Sequence, residues 1–171
     1  MKFITLLLLI ISSQSLANWS FNESTDEFTD QNIKLVSFED KNHFIQIQKD
    51  KDHKVWMLIN KKKGTFNPQG KVEIRVDKNK TYTRSKEDSK LTEKYFKFKS
   101  FIWEPSTVAM VIGNDVITED IINCGLTDDI LKGKKLKFRY STSNMSSESY
   151  SIDLNGITTP LKKLLLVHTC K

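Results

Sequence analysis

The feature that most constrains this chain is a period-two repeat close to its end. Lys135-Leu136-Lys137-Phe138-Arg139-Tyr140 puts Leu136, Phe138 and Tyr140 on one face and Lys135, Lys137 and Arg139 on the other. That is the pattern of a strand with one side in a core and the other in water. Tyr150-Ser151-Ile152-Asp153-Leu154 repeats it after the polar stretch Ser141 to Ser149, so the two segments read as an antiparallel hairpin with a serine-rich connection. Asn155-Gly156 tolerates positive φ, and Thr159-Pro160 reads as an N-cap followed by proline at the first helical position. Leu161, Leu164, Leu165 and His168 then recur at helical spacing. One helical stripe is expected to lie on the hairpin's apolar face, with Lys162 and Lys163 in water and Cys170 near the core.

Between breakers, the rest of the chain reads as short strands. Trp19-Ser20-Phe21 begins one, with Trp19 as a core residue, and Glu23 to Asp30 reads as a turn or loop. Ile33 to Phe38 and Phe44 to Gln48 follow, and the apolar run Val55 to Ile59 suits a central strand buried on both faces. Lys71 to Asp77 alternates, turning Val72, Ile74 and Val76 inward and leaving Glu73, Arg75 and Asp77 as a polar outer row. Such a row is either a weak surface ion-pair ladder or a binding ladder. Lys80 to Ser85 is its hairpin partner, and Lys86 to Glu93 a loop or short helix. In Lys94 to Trp103, rings alternate with Lys97 and Lys99, which suits an amphipathic core strand with Phe96, Phe98 and Ile102 on one face. The competing reading is a stacking platform for single-stranded nucleic acid. Val108 to Ile112 and Val116 to Ile122 read as strands about a turn at Gly113-Asn114, and Leu126 to Leu131 as one or two helical turns ending at Gly133. About nine short strands and a short C-terminal helix predict a mainly β chain, an antiparallel β-sandwich or partly closed barrel.

The first seventeen residues read as a secretory signal peptide. Lys2 precedes the apolar run Phe3 to Ile11, and small residues lead to Ala17. Cleavage there leaves 18–171 as a single β-rich domain in the periplasm or outside the cell, with no later stretch apolar enough for a membrane helix. Export allows Cys124 and Cys170, the only cysteines, to form a disulfide. A bridge closing that loop contributes on the order of 4 kcal/mol in the chain-entropy view. The alternative is two buried thiols. With 27 basic and 21 acidic residues in the full chain, loss of Lys2 leaves 26 − 21 = +5, a moderately basic surface that attracts acidic partners non-specifically.

The arrangement of Trp19, the Val72-Glu73-Ile74-Arg75-Val76-Asp77 strand, Ile152-Asp153-Leu154-Asn155-Gly156 and Cys170 resembles small exported proteins of the TagO-like, type VI secretion-associated family. Asn123-Cys124-Gly125 to Leu164 is similar to the end of the invasion-associated locus B family. Ile152 stands where the first pattern has phenylalanine, and the further cysteines of the second are missing. These resemblances imply an all-β envelope protein acting as an accessory or interaction module, with no catalytic residues carried over.

Catalytic signatures are sparse. The chain has no G-x-S-x-G elbow, H-E-x-x-H pair or Walker loop. His43, His53 or His168 could join a serine and an aspartate in space, although His168 sits on an apolar helical stripe. Asp128-Asp129 suits a helix start. No cofactor, metal or nucleic acid is expected. The leading reading is a non-catalytic envelope module binding an envelope protein or anionic polymer, with Glu73, Arg75, Asp77, Lys97 and Lys99 as the candidate face. A hydrolase with an unfamiliar site and a basic protein coating anionic surfaces are the competing readings.

Overall fold

The computed structural model describes residues 19–28, 30–67, 69–96, 101–114 and 125–165. Among them the strands are β1 (Ser20–Thr25), β2 (Asn32–Glu39), β3 (His43–Lys49), β4 (Lys54–Lys61), β5 (Lys71–Val76), β6 (Tyr82–Ser85), β7 (Phe101–Trp103), β8 (Thr107–Asn114), β9 (Lys135–Ser141) and β10 (Ser147–Asp153). The helices are α1 (Lys86–Phe96), α2 (Gly125–Lys132) and the short C-terminal α3 (Thr158–Leu164). Every strand pair is antiparallel, and the strands form a six-stranded sheet, β1-β2-β3-β4-β8-β7, and a four-stranded sheet, β10-β9-β5-β6. The chain is mainly β, as its alternation requires, and neither sheet closes into a barrel among the described residues.

The alternating residues decide which faces meet. Ile45, Ile47, Met57 and Ile59 of the large sheet join Ile74, Val76, Leu136 and Phe138 of the small one in a single core, all between 0% and 2% exposed. Each such side chain contributes roughly 1.5–3 kcal/mol on burial. Two turn carboxylates set the hairpins of the large sheet. Asp40 Oδ1 accepts from the backbone N–H of Asn42 and His43 at 2.7 Å. Asp50 accepts from the N–H of Asp52 and Lys54 and, through Oδ2, from Trp56 Nε1 at 2.8 Å; both are side-chain-to-backbone turns of the Asx kind. Trp19, just before β1, donates its Nε1–H to the Asp153 carbonyl at 2.9 Å and packs its ring at a tilt on Phe38, which ties the start of the large sheet to the last strand of the small one. At the end of α2, a Cβ on Gly133 would lie 2.0 Å from Val76 Cγ1, so only glycine lets the helix dock there.

Several sequence expectations give way to long-range effects. The predicted strand Lys94 to Trp103 is helical through Phe96, because the helix-forming run from Lys86 carries the helix forward. The short strand that remains is out of phase with the prediction: Phe101 is buried and Ile102 is 39% exposed. A one-residue phase change sends every side chain to the other face. Gly113-Asn114 is not a turn but continues β8, pairing with Val55 and Lys54 across a β-bulge at Val55/Trp56. The predicted second strand of that hairpin, Val116 to Ile122, lies outside the described residues. Glu23 to Thr25 belongs to β1 and not to a loop. In β4, Val55, Met57 and Ile59 are fully buried while Trp56 and Leu58 are half-buried, so full burial holds for one face only.

The tail follows the same pattern of agreement and correction. Its hairpin has Tyr150 opposite Phe138 and Ile152 opposite Leu136, as the alternation predicts, and Gly156 has φ +85°. Helix α3 is capped by the buried Ile157 and not by Thr159. Pro160 is then its third residue, where no intrahelical N–H bond is yet required. Leu161 and Leu164 are buried as expected, but the helix packs on β1, β2 and β3 of the large sheet. The hairpin's apolar face is already covered, since His43 of β3 lies against Phe138 and Tyr150.

Candidate functional site

The outer face of the four-stranded sheet is built by β5, β9 and β10, whose odd-numbered residues point away from the core. Antiparallel register arranges them in cross-strand rows. In one row Ser149 opposes Arg139, which opposes Glu73, which opposes Thr83. Here charge is compensated: Arg139 donates Nε–H to Glu73 Oε2 at 2.6 Å and a second guanidinium nitrogen to the same oxygen, while Lys71 Nζ lies 2.7 Å from Oε1. The bonds from Lys71 and Arg139 hold the Glu73 carboxyl below the usual carboxylate range.

The adjacent row is not compensated. Ser151 opposes Lys137, and Lys137 directly opposes Arg75. No carboxylate stands in this row, and among the described residues no ion pair forms to either cation. The two rows border an open depression of about 420 Å³, lined by Arg75, Thr81, Lys137, Arg139, Ser149 and Ser151 among others.

Of the residues expected on this face, Glu73 and Arg75 are there. Asp77 is not: the chain turns at this residue with φ +49°, and its carboxylate accepts the N–H groups of Lys134 and Lys135 at 3.0 and 2.9 Å. It fastens the start of β9 because β5 has ended. Lys97 and Lys99 lie outside the described residues, as do Cys124 and Cys170 and with them the expected disulfide. Lys137 and Arg139 complete the face. Their alternation with Leu136, Phe138 and Tyr140 already marked them as outward; only the register that sets them against Arg75 and Glu73 was missing.

A second polar cluster lies between the sheets. His43 opposes Lys61 across β3 and β4, and Tyr140 opposes Glu148 across β9 and β10. The two pairs meet through the core. His43 Nε2 is 2.9 Å from the Tyr140 hydroxyl, Tyr140 donates to Glu148 Oε2 at 3.0 Å, and Lys61 Nζ donates to the same oxygen at 3.2 Å. Tyr150 also donates to Glu148 at 3.2 Å, and its ring meets the His43 ring edge-on at 4.1 Å. The direction of the His43–Tyr140 bond follows the imidazole tautomer. Nδ1 is buried without a hydrogen-bond partner, 3.7 Å from Asp40 Oδ1.

Burial acts on His43, Tyr140, Glu148 and Tyr150 in this cluster. It lowers the His43 imidazole, with Asp40 pulling the other way. It raises the Tyr140 phenol far above its ordinary value, helped by the bond to Glu148. Burial also pushes the Glu148 carboxyl up, but the bonds from Tyr140 and Lys61 outweigh it and leave the group below the usual range. Parity is the signal that could have found Glu148: counting back from Ile152 and Tyr150 puts it on the inward face, where a carboxylate needs a cation.

The remaining candidates do not converge on these groups. His53 sits exposed in the turn after Asp50 with φ +59°, and His168 lies outside the described residues. Asp129 accepts from Asn79 at 2.8 Å and from Tyr82 at 3.4 Å, while Asp128 pairs with Lys132 within α2. No group of three His, Cys, Asp or Glu side chains stands close enough to hold a metal ion among the described residues. No helix among them is long and apolar enough to cross a membrane. Comparisons with protein-family models, with curated proteins and with solved structures gave no match.

Proposed function

We propose that this chain is exported behind the signal segment 1–17 and works as a non-catalytic binding module of the cell envelope, taking an acidic partner on the outer face of its four-stranded sheet. One observation carries the reading. That face presents Lys71, Arg75, Lys135, Lys137 and Arg139 against Glu73 and Asp153, five cations to two carboxylates, with no apolar residue at any outward position of β5, β9 or β10. A surface of one prevailing charge steers and holds partners of the other. The non-catalytic character is supported by the use of His43, which is fully buried and bonded to a tyrosine whose own proton is committed to Glu148. The resemblance to TagO-like and locus B proteins points to the same class of accessory envelope module.

The test is fractionation of cells expressing the full chain, with intact mass recorded on the recovered protein. The expected result is a chain beginning at Asn18 that sediments with the envelope fraction and is released as salt rises. Reversing Lys137 and Arg139 to glutamate should leave it in the soluble fraction. A chain that keeps residues 1–17, or that never associates with envelope material at low salt, would overturn the reading.

A further inference from the structure

We propose that the Ser151–Lys137–Arg75 row is an oxyanion subsite that takes the phosphate or sulfate ester groups of an acidic polysaccharide. This rests on the reading of the outer sheet face as the binding surface, and it names the ligand that surface takes.

Neighbouring rows of the face differ in how their cations are matched. Glu73 pairs with two cations at once, Arg139 and Lys71, and forms no ion pair with the cations of the next row. Arg75 and Lys137 remain directly opposite each other. Like charges in that position destabilise a sheet, and an anion bound between them converts the repulsion into two attractions. Arg75 brings a planar fork suited to two oxygens of one tetrahedral group, and Lys137 a point charge that needs no particular direction. Ser149, Ser151 and Thr81 border the same depression with hydroxyls, which both donate to oxyanions and pair with sugar hydroxyls.

What the face lacks separates a glycan from other polyanions. A protein partner needs an apolar or aromatic core to its interface, and single-stranded nucleic acid needs rings on which to stack its bases. Among the described residues, the large exposed apolar side chains Phe28, Ile33, Leu91, Ile102 and Met145 all lie elsewhere, and no ring occupies an outward position on β5, β9 or β10. The depression of about 420 Å³ falls in the usual range for small-ligand sites, roughly 300–1,000 Å³. It is open, so a polymer can pass through it and present one charged sugar at a time.

The test is equilibrium binding of the protein purified from cells expressing the full chain. The probes are dextran sulfate, dextran phosphate, uncharged dextran, polygalacturonate, oligo-dT and the envelope fraction itself. The expected result is binding of the two ester-bearing dextrans, at least tenfold weaker binding of polygalacturonate and oligo-dT, and none of uncharged dextran. Arg75→Glu should weaken dextran sulfate binding at least tenfold without lowering the thermal midpoint, because it creates an opposite-charge pair with Lys137. Lys162→Glu, the same charge change on α3, should stay within about threefold, the scale of a purely long-range charge effect at moderate salt. Equal losses from the two variants, or equal affinity for polygalacturonate or oligo-dT, would overturn the subsite. Envelope association unchanged in Arg75→Glu would overturn it while leaving the binding-module reading in place. A wild-type protein that binds neither envelope nor polymer would overturn both.

Discussion

Strands β9 and β10 carry polar groups on both faces, and the two faces treat charge in opposite ways. Inward, Glu148 gathers Tyr140, Tyr150 and Lys61 on its carboxylate, and His43 completes the chain through Tyr140. Outward, one row is equally well matched around Glu73, and the next sets Arg75 against Lys137 with nothing between them. The Lys61 side chain, 7% exposed, is matched to the Glu148 carboxylate at 3.2 Å, which offsets the cost of taking it out of water. Arg75 is exposed and water screens it, so the fold tolerates an open charge there at modest cost. The inward cluster is therefore explained by the fold alone, whereas the outward row calls for something the fold does not supply.

The sharpest way to break this comparison is to remove a core residue from the shared strand. Phe138→Ala should cost about 3–5 kcal/mol, read as a shift in the urea midpoint, and Leu164→Ala about 2–5 kcal/mol. Lys137→Ala should cost almost nothing. Similar losses for Phe138 and Lys137 would mean that the faces are misassigned. The next largest effect is expected at the inward cluster. Glu148→Gln leaves Lys61 without its partner and should cost about 1–3 kcal/mol, less than a fully buried pair because Glu148 is partly open to water. Adding Lys61→Met should recover much of that loss; strictly additive losses would show that the two do not act as a pair.

Acidity separates the clusters next. Burial holds the His43 imidazole below its ordinary value of about 6.5, so the unfolded chain accepts a proton that the folded chain resists. This contribution is complete above about pH 6.5 and is lost as pH falls through the depressed folded value, by at most about 1.4 kcal/mol per pH unit. Glu148, whose carboxyl is also held low, adds its own loss below about pH 4.5. Urea unfolding of wild type and His43→Gln between pH 7.5 and 5 should give the steeper decline to wild type; parallel curves would exclude His43 as the source. The smallest effect is on the outer face: Arg75→Glu should stabilise the fold by about 0.2–1 kcal/mol, while Lys162→Ala stays within about 0.5 kcal/mol.

Much of the frame was legible because alternation is a local property. The β9/β10 hairpin, the inward set of β5, the glycine turn at Gly156 and the core placement of Trp19 all follow from nearest neighbours in sequence. Where the structure departed, the decision was made at a distance. Helix α1 took Tyr95 and Phe96 from a predicted strand, and β4 offered Gly113 and Asn114 a partner that straightened a predicted turn. Helix α3 found its own hairpin already covered. The polar clusters were hidden for the same reason. His43 and Tyr140 are 97 residues apart, and Lys61 and Glu148 are 87 apart, so neither pair leaves a local trace. Glu73 and Arg75 were visible as a polar row, but their unequal roles depend on whether Arg139 or Lys137 lies opposite.

The central claim, that the Arg75–Lys137 row is left open for an anion, is tested most directly by thermal unfolding of wild type and Arg75→Glu, each with and without dextran sulfate. A ligand that binds only the folded state raises its stability by mass action. The account predicts that the order reverses: Arg75→Glu melts at or above wild type in buffer, and wild type melts higher once the polymer is present. If both proteins shift equally, or if Arg75→Glu is the less stable in buffer, the row is not an unfilled anion site and the outer face has no special claim to function.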